Sequence, residues 1–347
     1  MTNIQDQTSI QEFTNLLQTE SSNKTESTNQ PSSSDLHDEL LDMIGDTAMI
    51  PYGDYSIRIK CEFDNPTGSM KDRIAYGIIA QLTLNGQLSP GDVVVEGSSG
   101  NTAGSVAFVA SQLGYDAVIT APVGNSPQKL GYVNAFGAEL VTCPDVPSDD
   151  DRHYRNEAKR IAEERGGVWL DQYSNQLNPA IHAAWTGPEI TDQYPELTHV
   201  VAPMGTGGTM SGIAKHVKQF NESVTTIGVD AVHSNISAAF SGSEPGQYDT
   251  QVEGLGKGKE LPTMWFEHID EVSNVADEDA FRQARRAARN HGVLVGGSAG
   301  AALFVARNIT KENPNARVAV IACDGGEQYF DTVFDNDWMA ERGYQIE

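Results

Sequence analysis

Along most of this chain the apolar positions switch between two periods. Short runs such as Asp92-Val-Val-Val-Glu96, Ala117-Val-Ile-Thr120, Ala138 to Thr142, Val168-Trp-Leu170, Thr198-His-Val-Val-Ala202, Thr226-Ile-Gly-Val229 and Arg317-Val-Ala-Val-Ile-Ala322 have the length and residue types of buried strands. Between them the spacing becomes helical. Ile74, Ile78, Ile79 and Leu82 form one stripe, and Thr102 to Leu113 carries another that Gly114 ends. Ser126-Pro127 supplies a cap and first-turn proline for a helix ending at Gly137, and the charged stretch Asp151 to Arg165 stops at Gly166-Gly167. Strand and helix alternating in this way predict an α/β protein with mainly parallel sheets. No internal repeat and no long linker interrupts it.

The first 34 residues break the pattern, because 22 of them are Ser, Thr, Asn or Gln. Such a stretch buries too little apolar area to offset its ordering entropy, and it predicts a disordered polar tail over residues 1–38. Ile10, Phe13, Leu16 and Leu17 still fall at helical spacing, the one place where the tail could dock.

Composition narrows the function. Lys and Arg total 23 against 48 Asp and Glu, a formal charge of −25. A field of that sign repels phosphate backbones and anionic lipid, which argues against nucleic-acid and membrane partners. No run approaches the roughly 18 apolar residues of a membrane span, and the N-terminus lacks a signal-peptide core. Cys61, Cys143 and Cys323 are widely separated, as expected of a reducing cytoplasm, and no spacing among Cys or His suggests a metal. The acidic excess reads as a solvating surface for a salt-rich cytoplasm, where a Debye length of about 3 Å at 1 M mutes self-repulsion.

Ligands of open α/β sheets bind where loops leave the strand C-termini. Three such loops are rich in small residues: Gly97-Ser-Ser-Gly-Asn-Thr102, Gly205-Thr-Gly-Gly-Thr209 and Gly296-Gly-Ser-Ala-Gly300. The second follows a strand and opens a helix, which suits an anion held by backbone N–H groups. It lacks the lysine of a mononucleotide loop, and Met210 stands at the third-glycine position of a dinucleotide loop. A plain turn remains the alternative. Lys71 lies in Asn65-Pro-Thr-Gly-Ser-Met-Lys-Asp-Arg73, where Ser69 is expected to cap a helix. A lysine in a first helical turn opposes the dipole. It is either a solvated surface residue or one pushed towards neutrality for covalent chemistry with a carbonyl.

Asn65–Arg73, Ser98–Thr102, Gly205–Thr209, Val252-Glu-Gly-Leu-Gly256, Gly296–Gly300 and Asp324-Gly-Gly-Glu-Gln-Tyr329 occur in an order that resembles the pyridoxal-phosphate enzymes of the tryptophan-synthase-β fold, fold type II. Within them the chain looks like the cysteine synthase and cystathionine β-synthase branch, over about Met43 to Met339. The resemblance implies two three-layer α/β domains with the cofactor in the cleft between them. The smaller would comprise residues 66–180, the larger 39–65 plus 181–347. It also implies a cytoplasmic homodimer with no C-terminal regulatory module.

By the same resemblance Lys71 binds pyridoxal 5′-phosphate covalently and moves the substrate's Cα proton. Gly205, Thr206, Gly207, Gly208 and Thr209 form the phosphate cup, Ser298 meets the pyridine nitrogen, and Asn101 meets the phenolic oxygen. Ser98, Ser99, Gly100, Thr102 and Gln172 hold the substrate carboxylate, and Gly254 belongs to a substrate loop. Each residue also has a plainer alternative: Ser98, Ser99 and Thr102 as helix caps, Gln172 as a loop amide, Gly254 as a turn former. His182 reads as a packing histidine. The implied reaction is β-replacement on an activated serine, O-acetylserine plus sulfide giving cysteine and acetate. The alternatives are condensation of serine with homocysteine, a serine or threonine dehydratase, a diaminopropionate-forming enzyme, and a non-catalytic relative. Two features depart from the family pattern: Ala48-Met49-Ile50-Pro51 replaces an early proline and aliphatic-arginine pair, and Lys257 and Lys259 follow Gly256. Those lysines either solvate their loop or meet an anionic group of the substrate.

Overall fold

The computed structural model describes residues 40–53, 56–89, 91–124 and 127–346. The polar tail and the Ile10–Leu17 stripe lie outside them. Contacts divide the chain into two compact units, one containing residues 65–177 and the other 46–64 with 178–347.

The first unit is built on a four-stranded sheet. Strands β3 (Val93–Gly97), β4 (Asp116–Pro122), β5 (Glu139–Cys143) and β6 (Val168–Trp169) lie in the order β5-β4-β3-β6, and every pairing is parallel. Helices Lys71–Leu84 and Asn101–Leu113 pack on each other, and Tyr154–Arg165 packs on β3. Val95, Val118, Ala158, Ile161 and Ala162 form a buried cluster between that last helix and the sheet. The helix stops foreseen at Gly114 and Gly166 are left-handed residues, with φ of 74° and 65°. The charged helix begins at Tyr154, not Asp151, because the His153 ring accepts the Arg155 N–H at 3.3 Å and sets the cap there.

The second unit carries a six-stranded sheet in the order β1-β2-β10-β7-β8-β9. Its strands are β1 (Met49–Pro51), β2 (Ile57–Cys61), β7 (His199–Pro203), β8 (Thr225–Ala231), β9 (Glu271–Val275) and β10 (Val318–Ala322). Only β1 runs antiparallel to its neighbour. All five residues of β10 are buried, as expected of an inner parallel strand covered on both faces. Helices Asp277–His291 and Gly297–Glu312 pack against each other and supply Phe281, Ala284, Ala302 and Leu303 to the main core. A π-turn at His182–Thr186 leads into the helix Gly187–Gln193. Among the described residues no helix is long and apolar enough to cross a membrane.

Candidate active site

The loop before Lys71 is held by its own polar atoms. Gly68, with φ of 76°, donates its N–H to Asn65 O at 2.8 Å and closes the turn. Asp72 is fully buried in the first helical turn, and its carboxylate accepts the Thr67 N–H at 2.7 Å and the Thr67 hydroxyl at 2.6 Å. An acid here matches the helix dipole that Lys71 opposes. Met70, not Ser69, occupies the cap position, although the Ser69 hydroxyl still accepts the Lys71 N–H at 3.3 Å. Thr67 and Ser105 hydroxyls lie 3.2 Å apart, which ties this loop to the helix Asn101–Leu113. Lys71 itself is half-buried.

Ser98 to Gly100 link β3 to that helix, whose first turn Asn101 and Thr102 open. Gly100 is the cap residue, and the Ser98 hydroxyl accepts its N–H at 3.2 Å. Thr102 donates its hydroxyl to Gln172 Oε1 at 2.8 Å, and Gln172 Nε2 donates to Glu96 Oε1 at 3.2 Å. Two predicted carboxylate contacts, seventy residues apart in sequence, are thus joined directly. Ser99, in the link, and Asn101, at the start of the helix, are half-buried. Burial, reinforced by the nearby Asp171 carboxylate, pushes the Glu96 carboxyl up to about 8.

In the other unit, Gly205 to Thr209 leave the C-terminal end of β7 and open the thirteen-residue helix Gly208–Phe220. Gly207 caps it with φ of 81°. A Cβ on Gly205 would collide with the Gly254 carbonyl, one on Gly207 with Met264, and one on Gly208 with Asn178. Only glycines fit here, and their N–H groups stay uncovered by side chains at a helix N-terminus. The Thr206 hydroxyl accepts from Asn178 Nδ2 at 3.2 Å, and the Thr206 carbonyl accepts the Thr263 hydroxyl at 2.5 Å. Thr209 lies 3.4 Å from His182 Nε2, while His182 Nδ1 is 2.8 Å from the Thr186 hydroxyl. His182 is therefore packed, and it also fixes a loop hydroxyl.

Gly254 lies against this loop, and the Gly256 N–H donates to Met204 O at 2.8 Å. The stretch continues into Lys257, whose carbonyl accepts the Asn235 N–H at 2.8 Å, and into the exposed Lys259. Ser298 stands buried in the first turn of Gly297–Glu312. Beside it, a Cβ on Gly296 would collide with Asp324, whose carboxylate accepts the buried Tyr329 hydroxyl at 2.6 Å.

Lys71, Ser98–Thr102 and Gln172 thus fall in one unit, and Gly205–Thr209, Gly254 and Ser298 in the other. Asn178, Thr263, Met264 and Glu96 carry no loop signature, and sequence reasoning passed over them. Only the charge of Glu96 inside an apolar run hinted at a role. Among the described residues no group of His, Cys, Asp and Glu could hold a metal ion. A loop whose three glycines admit no Cβ, at a helix N-terminus, and a buried hydroxyl in the same unit suit a phosphorylated heterocycle such as pyridoxal phosphate.

Comparison with known proteins agrees. The family model described as "Pyridoxal-phosphate dependent enzyme" matches residues 40–324. A cysteine synthase of Staphylococcus aureus (strain Mu50 / ATCC 700699) is 36% identical over 279 residues, 80% of this chain and 88% of its own. A cystathionine beta-synthase of Apis mellifera is 35% identical over 320 residues, 88% of this chain and 63% of its own. The solved structure of an O-ureido-L-serine synthase matches with a TM-score of 0.79 and 27% identity, covering 87% of this chain and 98% of that one. The cofactor is pyridoxal phosphate, and the chain belongs to the pyridoxal-phosphate dependent enzyme family, as an enzyme of the cysteine synthase type.

Proposed function

We propose that the protein catalyses β-replacement on an activated serine, with O-acetylserine and sulfide giving cysteine and acetate. Pyridoxal phosphate, when bound, withdraws the electron pair left at the substrate Cα once its proton is removed. Lys71 Nζ carries the cofactor and takes that proton. Backbone N–H groups and hydroxyls of Gly205–Thr209 hold the phosphate, Asn101 the phenolic oxygen, and Ser298 the ring nitrogen. Ser98, Ser99, Gly100, Thr102 and Gln172 hold the substrate carboxylate, with Gly254 shaping the loop beside the cup.

What supports replacement over transamination is that Ser298, which this reading assigns to the ring nitrogen, is a buried residue with a neutral hydroxyl. A hydroxyl would not keep a proton on the ring nitrogen as a carboxylate would, so the ring would be a weaker electron sink, which favours loss of the β-substituent over transamination. Acetate would depart from Cβ, hydrosulfide would add there, and Lys71 would return the proton to Cα, which balances the reaction. The same proposal includes a homodimer in the cytoplasm, the first half of which sedimentation velocity tests.

A second reading has support in the Apis mellifera relative, namely condensation of serine with homocysteine. The purified holoenzyme distinguishes the two. Cysteine and acetate should form in equal amounts from O-acetylserine and sulfide, with little turnover of serine. Efficient use of serine with homocysteine, and none of O-acetylserine, overturns the first reading.

A further inference from the structure

The connection between the helix Ile236–Ser241 and the 3-10 turn Phe266–His268 contains no helix or strand of its own. Loops of such length inside a compact unit are usually functional. This one carries the stretch Val252–Gly256. Val252 and Leu255 are buried in the main core, the Gly254 carbonyl fills the space a Cβ on Gly205 would need, and the Gly256 N–H donates to Met204 O at 2.8 Å. The loop therefore lies directly against the start of Gly205–Thr209, within one unit.

Asn235, the residue before that helix, fastens the loop. It is 6% exposed. Its Oδ1 accepts the Gly246 N–H at 2.7 Å, and its Nδ2 donates to Gly246 O at 3.1 Å and to Gly258 O at 2.9 Å. Its backbone N–H donates to Lys257 O at 2.8 Å. One side chain thus gathers two separated points of the loop, using both amide donors and the amide oxygen. A flipped amide would set Oδ1 against two carbonyl oxygens, so one orientation alone serves. Ser234 adds a second fastening, because its hydroxyl donates to Lys257 O at 3.0 Å and accepts the Lys257 N–H at 2.9 Å. Asp230, fully buried at the end of β8, accepts the Ala231 and Ser237 N–H groups at 2.9 Å each and braces the turn that holds Ser234 and Asn235.

We propose that Asn235 is a positioning residue: by closing this loop it holds Gly254 against Gly205–Thr209 and so sets the affinity of the enzyme for the phosphate of its cofactor. This rests on the assignment of Gly205–Thr209 to that phosphate. Loop closure and occupation of the turn are then coupled, and the coupling is reciprocal. A closed loop tightens cofactor binding, and an occupied turn keeps the loop closed.

The test uses full-length protein, with and without pyridoxal phosphate. Cofactor affinity is read by fluorescence titration, the bound phosphate by phosphorus NMR, and the loop by deuterium exchange over residues 242–258. In the wild type, cofactor should slow exchange of this stretch at least about fivefold. Asn235→Ala removes three hydrogen bonds to the loop and should weaken cofactor binding about tenfold, with a shifted or broadened phosphate signal. Asn235→Asp has the same shape but puts an oxygen where the donors stood, and it should weaken binding at least as much. A purely structural role would lower the melting temperature of Asn235→Ala while affinity and phosphate signal stay at wild-type values, and that result overturns the proposal. Asn235→Asp behaving as the wild type overturns it too, since shape alone would then suffice. Should either variant fail to fold, the wild-type exchange decides: a loop whose exchange ignores the cofactor is not coupled to it. Gly205→Ala separates the two levels. Weakened cofactor binding there upholds the phosphate assignment whatever Asn235 does, and unchanged binding overturns both.

Discussion

Glu189→Gln should unfold the larger unit more easily than any exposed ion-pair deletion in this protein. Lys60, on β2, has a side chain with no solvent exposure, and its ammonium contacts Glu189 Oε2 at 2.6 Å, Thr47 O at 2.7 Å and Gln193 Oε1 at 2.9 Å. Glu189 is 13% exposed and also accepts the Asp46 N–H at 2.9 Å. Amide for carboxylate keeps the shape and removes the only anion contacting the buried cation among the described contacts. Breaking a buried pair from one side costs about 3–5 kcal/mol, since the remaining charge stays desolvated. At about 2–4 °C per kcal/mol for a unit of this size, the melting temperature should fall by about 6–20 °C. Lys60→Met combined with Glu189→Gln leaves no charge stranded, and the double variant should recover at least 2 kcal/mol relative to additivity. Thermal melts by circular dichroism at low salt and in 2 M KCl provide the assay. A buried pair is little screened, so the deficit should persist in salt, whereas deleting the exposed Arg165–Glu139 pair should cost under about 1 kcal/mol and vanish there. A shift below 2 °C for Glu189→Gln, or one abolished by salt, refutes the reasoning.

Lys71→Ala should abolish turnover and the visible band of the bound cofactor while the far-ultraviolet dichroism stays native, because alanine suits a helix start at least as well. Gly205→Ala should weaken cofactor binding at least tenfold, measured by fluorescence titration, since the new methyl meets the Gly254 carbonyl and the loop must shift. Ser298→Asp should raise the share of keto-acid product over β-replacement, read by product analysis, because a carboxylate keeps the ring nitrogen protonated.

Much of the fold could be read where local signals suffice. The unbroken apolar run of β10 and the left-handed glycines at 114 and 166 mark their elements without outside help. Strands β1 and β2 were missed for opposite reasons. Pro51 disguises a short edge strand, and Arg58 and Lys60 make Ile57–Cys61 look half-solvated although Lys60 is fully buried. Its partner Glu189 is remote in sequence, and no local window holds both charges. The glycine loops were conspicuous because backbone geometry leaves its mark in composition. Their supports were not: Asn178, His182 and Thr263 are ordinary residues whose roles exist only once the chain has folded around Thr206 and Thr209. Glu96 belongs to the same class, since its meaning depends on Gln172 reaching it from another strand's end.

The strand order of the larger sheet also sets a timetable for synthesis. β2 emerges early but its parallel partner is β10, so Ile57–Cys61 waits for Val318–Ala322 about 250 residues later, on the order of 10–50 s at ribosomal speed. Meanwhile the contiguous stretch 65–177 already holds every strand of its own four-stranded sheet. One unit can thus complete itself on the ribosome while the β1–β2 hairpin stands with an unpaired edge, an aggregation hazard that Pro51 and the charges of Arg58 and Lys60 blunt until the last strand arrives.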